Sequence, residues 1–315
     1  MKLATFTIDR RRRYGAVKDN GLVILDSRLR SYPDLLSLIA GNGLDAARVQ
    51  IDDASPDVSL DDVLWEPVLP NPPKILCVGV NYRSHADESG FKAVPYPFIF
   101  PRYAGSQVGH LQPMVCPRES DKFDYEGELV AIIGKSGRRI SKETALKHVV
   151  GYSIYNEGSV RDWQTHSTQW TPGKNFASTG AFGPWMVTAD EIPDPYKLEL
   201  TTWLNGQVMQ NASIDLMMFR LEELISYIST FISLEPGDVI VSGTPGGVGH
   251  GRKPPLYLKD GDVVEVDVTG IGRLRNPVVK ERAEPEAAQK PPSSRLLRVE
   301  RSAKAVMASW AWRTL

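Results

Sequence analysis

Two cysteines, five histidines and a net charge of -1 in 315 residues exclude several kinds of protein before any motif is read. Cys77 and Cys116 are too few for a disulfide scaffold. A reducing cytoplasm is therefore expected, with both thiols acting as small buried hydrophobes. Near-neutral charge gives no general electrostatic ground for a nucleic-acid or membrane partner. The chain has no long uninterrupted apolar run, and residues 1–6 lead directly into a strand pattern, not a signal-peptide segment. His110, His148, His166 and His250 are scattered and read as structural. Internal repeats are absent.

The composition that remains is globular, 42% hydrophobic and 24% charged. Its length suits one large or two modest domains. Residues 1–68 read as a small α/β unit. Strands are expected over 3–8, 14–17 and 22–25, the last after the Asp19-Asn20-Gly21 turn, and a helix is expected to start near Ser31-Tyr32-Pro33. The prolines at 67, 70, 72 and 73 mark a linker. Beyond it, 75–80 reads as a buried strand, 81–90 as a short helix or lid, 141–150 as a helix capped by Ser141 and 151–155 as a strand. Leu221, Leu224, Ile225, Ile228 and Ile232 fall at helical spacing. Two turn signals introduce strands at 239–241 and 263–268, the latter with Val264, Val266 and Val268 inward. So much late β-structure with few helices predicts an α+β fold, a mixed β-roll or sandwich. Residues 282–315 are a basic extension expected to be poorly ordered, with an amphipathic helix over 295–315 as the alternative.

Asp124-Tyr125-Glu126-Gly127-Glu128 opens the apolar run Leu129–Ile133, which is rich in β-branched residues and too short for a helix. In a strand, Asp124, Glu126 and Glu128 share one face, roughly 6–7 Å apart at ~3.3 Å rise per residue. Such alternation is commonly a solvated face. The flanking apolar residues favour burial instead, and buried carboxylates that repel one another call for a cation. Glu157 ends another apolar stretch, 151–157, and makes a further candidate. An all-carboxylate set suits Mg²⁺ or Mn²⁺, with Ca²⁺ also accommodated and zinc disfavoured.

Other residues carry weaker signals. His85 and Glu88 at i, i+3 on a helix form either a surface pair or an oriented general base. Lys174, beside Pro172-Gly173, is either solvent-exposed or turned inward to stabilise an oxyanion. Ser242–Gly249 offers backbone N–H groups to an anion or is a plain turn. It lacks the Gly-Lys-Ser/Thr of a Walker loop and the helix of a dinucleotide site.

Taken in order, the segment from Val78 to Glu88, the Asp124–Leu129 strand, Glu157, Lys174 and Ser242-Gly243-Thr244-Pro245 resemble the fumarylacetoacetate hydrolase family over about residues 70–280. The nearest branch is that of acylpyruvate hydrolases and 2-hydroxyhepta-2,4-diene-1,7-dioate isomerases. The resemblance implies that family's C-terminal-domain fold over 69–281, with Glu126, Glu128 and Glu157 as metal ligands. His85, Glu88 and Lys174 are the implied catalytic residues. Arg102, Tyr103, Ser106, Arg161, Gln164 and Thr244 are implied at the substrate. The implied reaction is metal-dependent hydrolysis of a C–C bond in a 2,4-dioxo acid, an acylpyruvate or fumarylpyruvate, as in aromatic-compound catabolism. The alternative is decarboxylation, isomerisation or hydration of a 2-oxo acid through the same enolate. A homodimer is expected on the resemblance alone. Two departures stand out: the third ligand is usually Asp where this chain has Glu157, and a common lysine is Arg102 here. An arginine there either clamps a substrate carboxylate or lies on the surface.

Overall fold

The computed structural model describes residues 1–90 and 95–282. The basic extension therefore falls outside the described residues, apart from Arg282.

The apolar runs read from the sequence are strands of one large sheet. Among the described residues it has 12 strands. Its main path runs Val58–Ser59, Gly21–Ile24, Arg11–Lys18, Lys2–Ile8, Gly180–Thr188, Val149–Glu157, Gly127–Ile133, Val239–Val241, Ile75–Gly79 and Phe98–Arg102. A second sheet of five strands comprises Gln207–Ser213, Glu199–Leu204, Val263–Val268, Gly272–Lys280 and Met114–Cys116. This is an α+β architecture, as expected.

Gly127–Ile133 explains why no polar alternation follows Glu128. Leu129, Ala131 and Ile133 join a core that includes Val264 and Val266 of the second sheet and Leu224, Ile225 and Ile228 of the helix Leu221–Phe231. Val130 and Ile132 face the other side, with Val239, Val241, Leu35 and Leu38. With both faces covered, every position is apolar. Strand alternation then puts Glu128 on the Val130 side, near the start of the strand, with Glu126 just before it.

The N-terminal strands hydrogen-bond into the same sheet, Lys2 opposite Val187 and Leu3 opposite Met186. Residues 1–281 accordingly form one compact unit, and the proline-rich segment at 67–73 does not interrupt the sheet. Local expectations shift by a few residues. The first helix is Leu35–Ala40, two residues past Pro33, because Asp34 and Ser37 form a reciprocal capping box. A further helix, Leu44–Asp52, follows a turn that the pattern did not signal. The helix expected over 141–150 is only Lys142–Ala145 followed by one tighter turn, and Ser141 precedes it without a side-chain cap.

Two ties fix the end of the sheet that carries the acidic residues. Asn81, fully buried, donates Nδ2 to Ser242 O at 2.8 Å and to Phe219 O at 2.9 Å, and accepts from Phe219 N at 2.7 Å. Gly79 leaves room for Trp170, whose ring would lie 2.2 Å from a Cβ at that position.

Ile228→Ala removes a fully buried side chain from the helix face that meets both sheets. Urea unfolding should show a loss of about 2–5 kcal/mol, and a loss near zero would contradict the core described here.

Candidate metal centre and its cavity

The acidic strand is broken where the sequence reads as continuous. Phe123–Asp124 pairs with Ser159–Val160, whereas Gly127–Ile133 pairs with Val149–Glu157. The break turns Asp124 away from the other two carboxylates. Its Oδ1 accepts Gly249 N–H at 2.8 Å, and its Oδ2 accepts His250 N–H at 2.9 Å and Arg161 Nε–H at 2.9 Å. The expectation that Asp124 shares a face with Glu126 and Glu128 is thereby corrected. Asp124 is the post that joins the acidic strand to the glycine-rich loop and to Arg161.

Glu157, at the end of Val149–Glu157, takes the third place. Among the described residues, Glu126, Glu128 and Glu157 form a carboxylate group with oxygens within 4.8 Å of one another. All three are at most 3% exposed. Lys174 is not solvent-exposed: its loop turns inward, leaving the residue 2% exposed. Its Nζ donates to Glu126 Oε2 and to Glu157 Oε2, the latter at 2.8 Å. Arg161 Nη2 reaches Glu126 Oε1 at 2.8 Å. Burial pushes the Glu126 carboxyl up, but Arg161 and Lys174 outweigh it and hold Glu126 ionised, well below the usual range. Burial pulls Lys174 down, and Glu126 and Glu157 more than restore it, so it stays an ammonium.

Glu128 differs. It accepts the Gly243 N–H, aimed by a φ of 96° that favours glycine, but no described cationic side chain reaches it. Burial first, then the charges of Glu157 and Glu126, push its pKa well above the usual carboxylate value. Glu157 Oε1 is also buried with no hydrogen-bond partner. A buried like-charge cluster with an unpaired oxygen and a proton-seeking carboxylate fits a hard divalent cation, for which all three donors are oxygens.

His85 sits on the helix Arg83–Ser89, 6% exposed. Its Nδ1 bonds Glu88 Oε1 at 2.8 Å, and Glu88 Oε2 accepts Gly247 N–H at 2.8 Å. Ser84 Oγ accepts Gly246 N–H at 3.0 Å. The short helix is therefore docked on the glycine-rich loop. Gly247, at φ 104°, is required there, because a Cβ would lie 2.2 Å from Met209 O.

These groups line one cavity of about 210 Å³, which includes His85, Glu126, Glu128, Glu157, Lys174 and Arg161, and Gln164, Thr244, Trp170 and His250. Gln164 Oε1 accepts Arg161 Nη1 at 3.1 Å, which leaves its amide nitrogen for a ligand. Thr244 Oγ1 already donates to Gly127 O at 2.9 Å, so its hydroxyl hydrogen is committed to the backbone. Arg102, Tyr103 and Ser106 are not on the cavity wall. Tyr103 is 59% exposed. Arg102 is buried behind Glu157, with its fork spent on Ser106, Gly158 and Thr179. Neither alternative expected for Arg102 holds: it is buried rather than on the surface, it does not line the cavity, and one donor on each guanidinium nitrogen is spent within the protein. The cavity also contains Trp170, which the sequence did not single out, and His250, which was expected to be structural. Trp170 directly precedes the Thr171–Lys174 segment, and that adjacency to Lys174 was the available signal. His250 lies in the run Gly249-His250-Gly251, and its place in the glycine-rich loop was the available signal.

Residues 74–279 match the family model described as fumarylacetoacetate (FAA) hydrolase C-terminal. The chain belongs to the fumarylacetoacetate hydrolase family. It is 39% identical over 257 residues to oxaloacetate tautomerase fahd2, mitochondrial, of Xenopus laevis, covering 81% of this chain and 79% of that protein. Among solved structures, it is similar to a fumarylacetoacetate hydrolase from psychrophilic Exiguobacterium antarcticum, with TM-score 0.76, 35% identity and coverage of 89% of this chain and 100% of the other. Maleylpyruvate hydrolase from Sphingobium sp. SYK-6, in complex with manganese(II) and pyruvate, gives TM-score 0.76 and 26% identity over 90% of this chain and 100% of the other. Among the described residues, no helix is long and apolar enough to cross a membrane.

The raised pKa of Glu128 fixes the sign of a pH effect. A group whose pKa is raised on folding favours the folded state at low pH, and that contribution fades as pH rises through the folded value. Glu128→Gln should therefore raise the melting temperature of chelator-treated protein at pH 8. It should also abolish the stabilisation that Mn²⁺ gives the unaltered protein. A Glu128→Gln protein that still melts later with Mn²⁺ would exclude Glu128 as a ligand.

Proposed function

We propose that this chain is a divalent-cation-dependent enzyme of small 2-oxo acids, and that its reaction is keto–enol proton transfer on an oxaloacetate-like dicarboxylic acid. The observation that carries this reading is a base-oriented imidazole sharing one small cavity with a buried ammonium and three convergent carboxylates. The similarity to an oxaloacetate tautomerase over most of both chains points the same way. A cavity of about 210 Å³ suits a ligand of a few carbon atoms.

Glu126, Glu128 and Glu157 would hold the cation, Mg²⁺ or Mn²⁺ by donor chemistry. When bound, it supplies Lewis-acid polarisation of the 2-oxo group. The chain's own residues do the rest. Glu88 holds Nδ1 of His85 and fixes the ring's orientation, which leaves Nε2 to take a proton from the carbon next to the carbonyl. The Lys174 ammonium places positive charge where the carbonyl oxygen becomes anionic. Arg161, locked between Asp124 and Glu126, keeps Gln164 facing the cavity. Trp170 and the docked helix limit water at the site.

A second reading is favoured by the same dyad. His85 oriented by Glu88 could deprotonate a water instead of carbon, which would make the reaction C–C hydrolysis of an acylpyruvate. The likeness to maleylpyruvate hydrolase supports it.

The test follows enol-oxaloacetate by ultraviolet absorbance with Mg²⁺ or Mn²⁺ supplied, alongside pyruvate release from a panel of acylpyruvates. Tautomerisation above the buffer rate, abolished by chelator, is expected. His85→Ala should lower kcat by about 100-fold or more. Glu88→Gln should cost less, because the imidazole stays in place without its orienting carboxylate. Pyruvate release without tautomerisation would transfer the case to hydrolysis, and inactivity in both assays would end the proposal.

A further inference from the structure

Arg102 is 2% exposed, and the fold makes a dedicated seat for it. Nη1 donates to Gly158 O at 3.0 Å, Nη2 to Thr179 Oγ1 at 2.9 Å and Nε to Ser106 Oγ at 3.3 Å. The guanidinium lies 5.7 Å from the centre of the Tyr155 ring. Gly180 is needed beside it, since a Cβ there would lie 2.6 Å from both Nη2 and Tyr155 Oη. So many fixed partners hold the fork in one place. From that place, Nη1 stands 4.0 Å from Glu157 Oε1.

The two oxygens of Glu157 are thus treated differently. Oε2 is held by Lys174, which lines the cavity. Among the described residues Oε1 makes no hydrogen bond; it is shut away from solvent and lies near the Arg102 charge. Glutamate has enough torsional freedom to turn its carboxylate flat and offer both oxygens to an ion. A charge fixed behind Oε1 opposes that rotation.

We propose that Arg102 is a positioning residue that draws Glu157 Oε1 into the wall and leaves a single oxygen of Glu157 for a cation. The consequence is selectivity. Mg²⁺ and Mn²⁺ take one oxygen per carboxylate in a tight octahedron, whereas Ca²⁺ gains from carboxylates that bind through both oxygens. Arg102 therefore biases the site against Ca²⁺. The inference rests on the cation reading of the carboxylate cluster and is independent of which reaction follows.

The test measures binding, not turnover. Mn²⁺ is titrated by the electron paramagnetic resonance signal of the free ion, with Ca²⁺ and Mg²⁺ as competitors, on the whole protein. Arg102→Gln should lower the Mn²⁺-over-Ca²⁺ affinity ratio about tenfold, chiefly by tighter Ca²⁺ binding. Arg102→Lys keeps the charge and loses the fork, and should move the ratio about threefold in the same direction. If Arg102→Gln does not fold, Arg102→Lys and Thr179→Val, which loosens the seat without touching the charge, carry the measurement. Melting in chelator reports the structural cost separately. In a Glu157→Asp background, where the carboxylate is too short to meet Arg102, Arg102→Lys should leave the ratio unchanged. An unchanged ratio in the Arg102 variants, even with both affinities reduced, overturns the proposal. Absence of Mn²⁺ binding to the unaltered protein would instead overturn the cation reading beneath it.

Discussion

Burial of Glu126, Glu128 and Glu157 within one small volume is the constraint on which the rest of the site depends. Carboxylates at such exposure are costly unless charge and hydrogen bonds compensate. The fold answers from several directions. Lys174 bridges Glu126 and Glu157, Arg161 couples Glu126 to Asp124, Arg102 stands behind Glu157, and Ser159 Oγ donates to Glu126 Oε2 at 2.8 Å. Among the described residues no cationic side chain reaches Glu128, and so it is where a divalent cation would complete the balance.

The compensating groups come from chain segments far apart in sequence, and each is placed by a simple local device. The strand break at Tyr125–Glu126 lets Asp124 leave the cluster and anchor both Arg161 and the backbone of Gly249 and His250. Positive-φ glycines at 243 and 247 turn N–H groups toward Glu128 and Glu88. The helix that carries His85 thus rests on the same loop that contacts Glu128. A disturbance of that loop reaches the carboxylate cluster and the His85–Glu88 pair together through the backbone.

Much of this was legible in the sequence. The run Leu129–Ile133 announced a strand buried on both faces, and Val264, Val266 and Val268 announced a half-buried one, because side-chain alternation is a local property. The five spaced motifs pointed to the family, and the cavity gathers their side chains at His85, Glu126, Glu128, Glu157, Lys174 and Thr244. The readings at Asp124 and Arg102 went astray for one shared reason. Both residues carry charges whose partners, Arg161 and Gly249 in one case and Gly158 and Thr179 in the other, are distant in sequence. Nothing local says which of several carboxylates an arginine will meet.

The sequence by itself determined the alternation of the strands, the apolar stripe of the Leu221–Phe231 helix and the chemical types available to the site. Periodicity and side-chain chemistry are written residue by residue, so these follow from the order of amino acids. Only the tertiary structure decided which acids converge, that Lys174 turns inward, that Arg102 lies in the wall rather than at the substrate, and that the N-terminal strands extend the central sheet. Those outcomes depend on long-range pairing and on the energy of burying charge, and both are properties of the assembled fold.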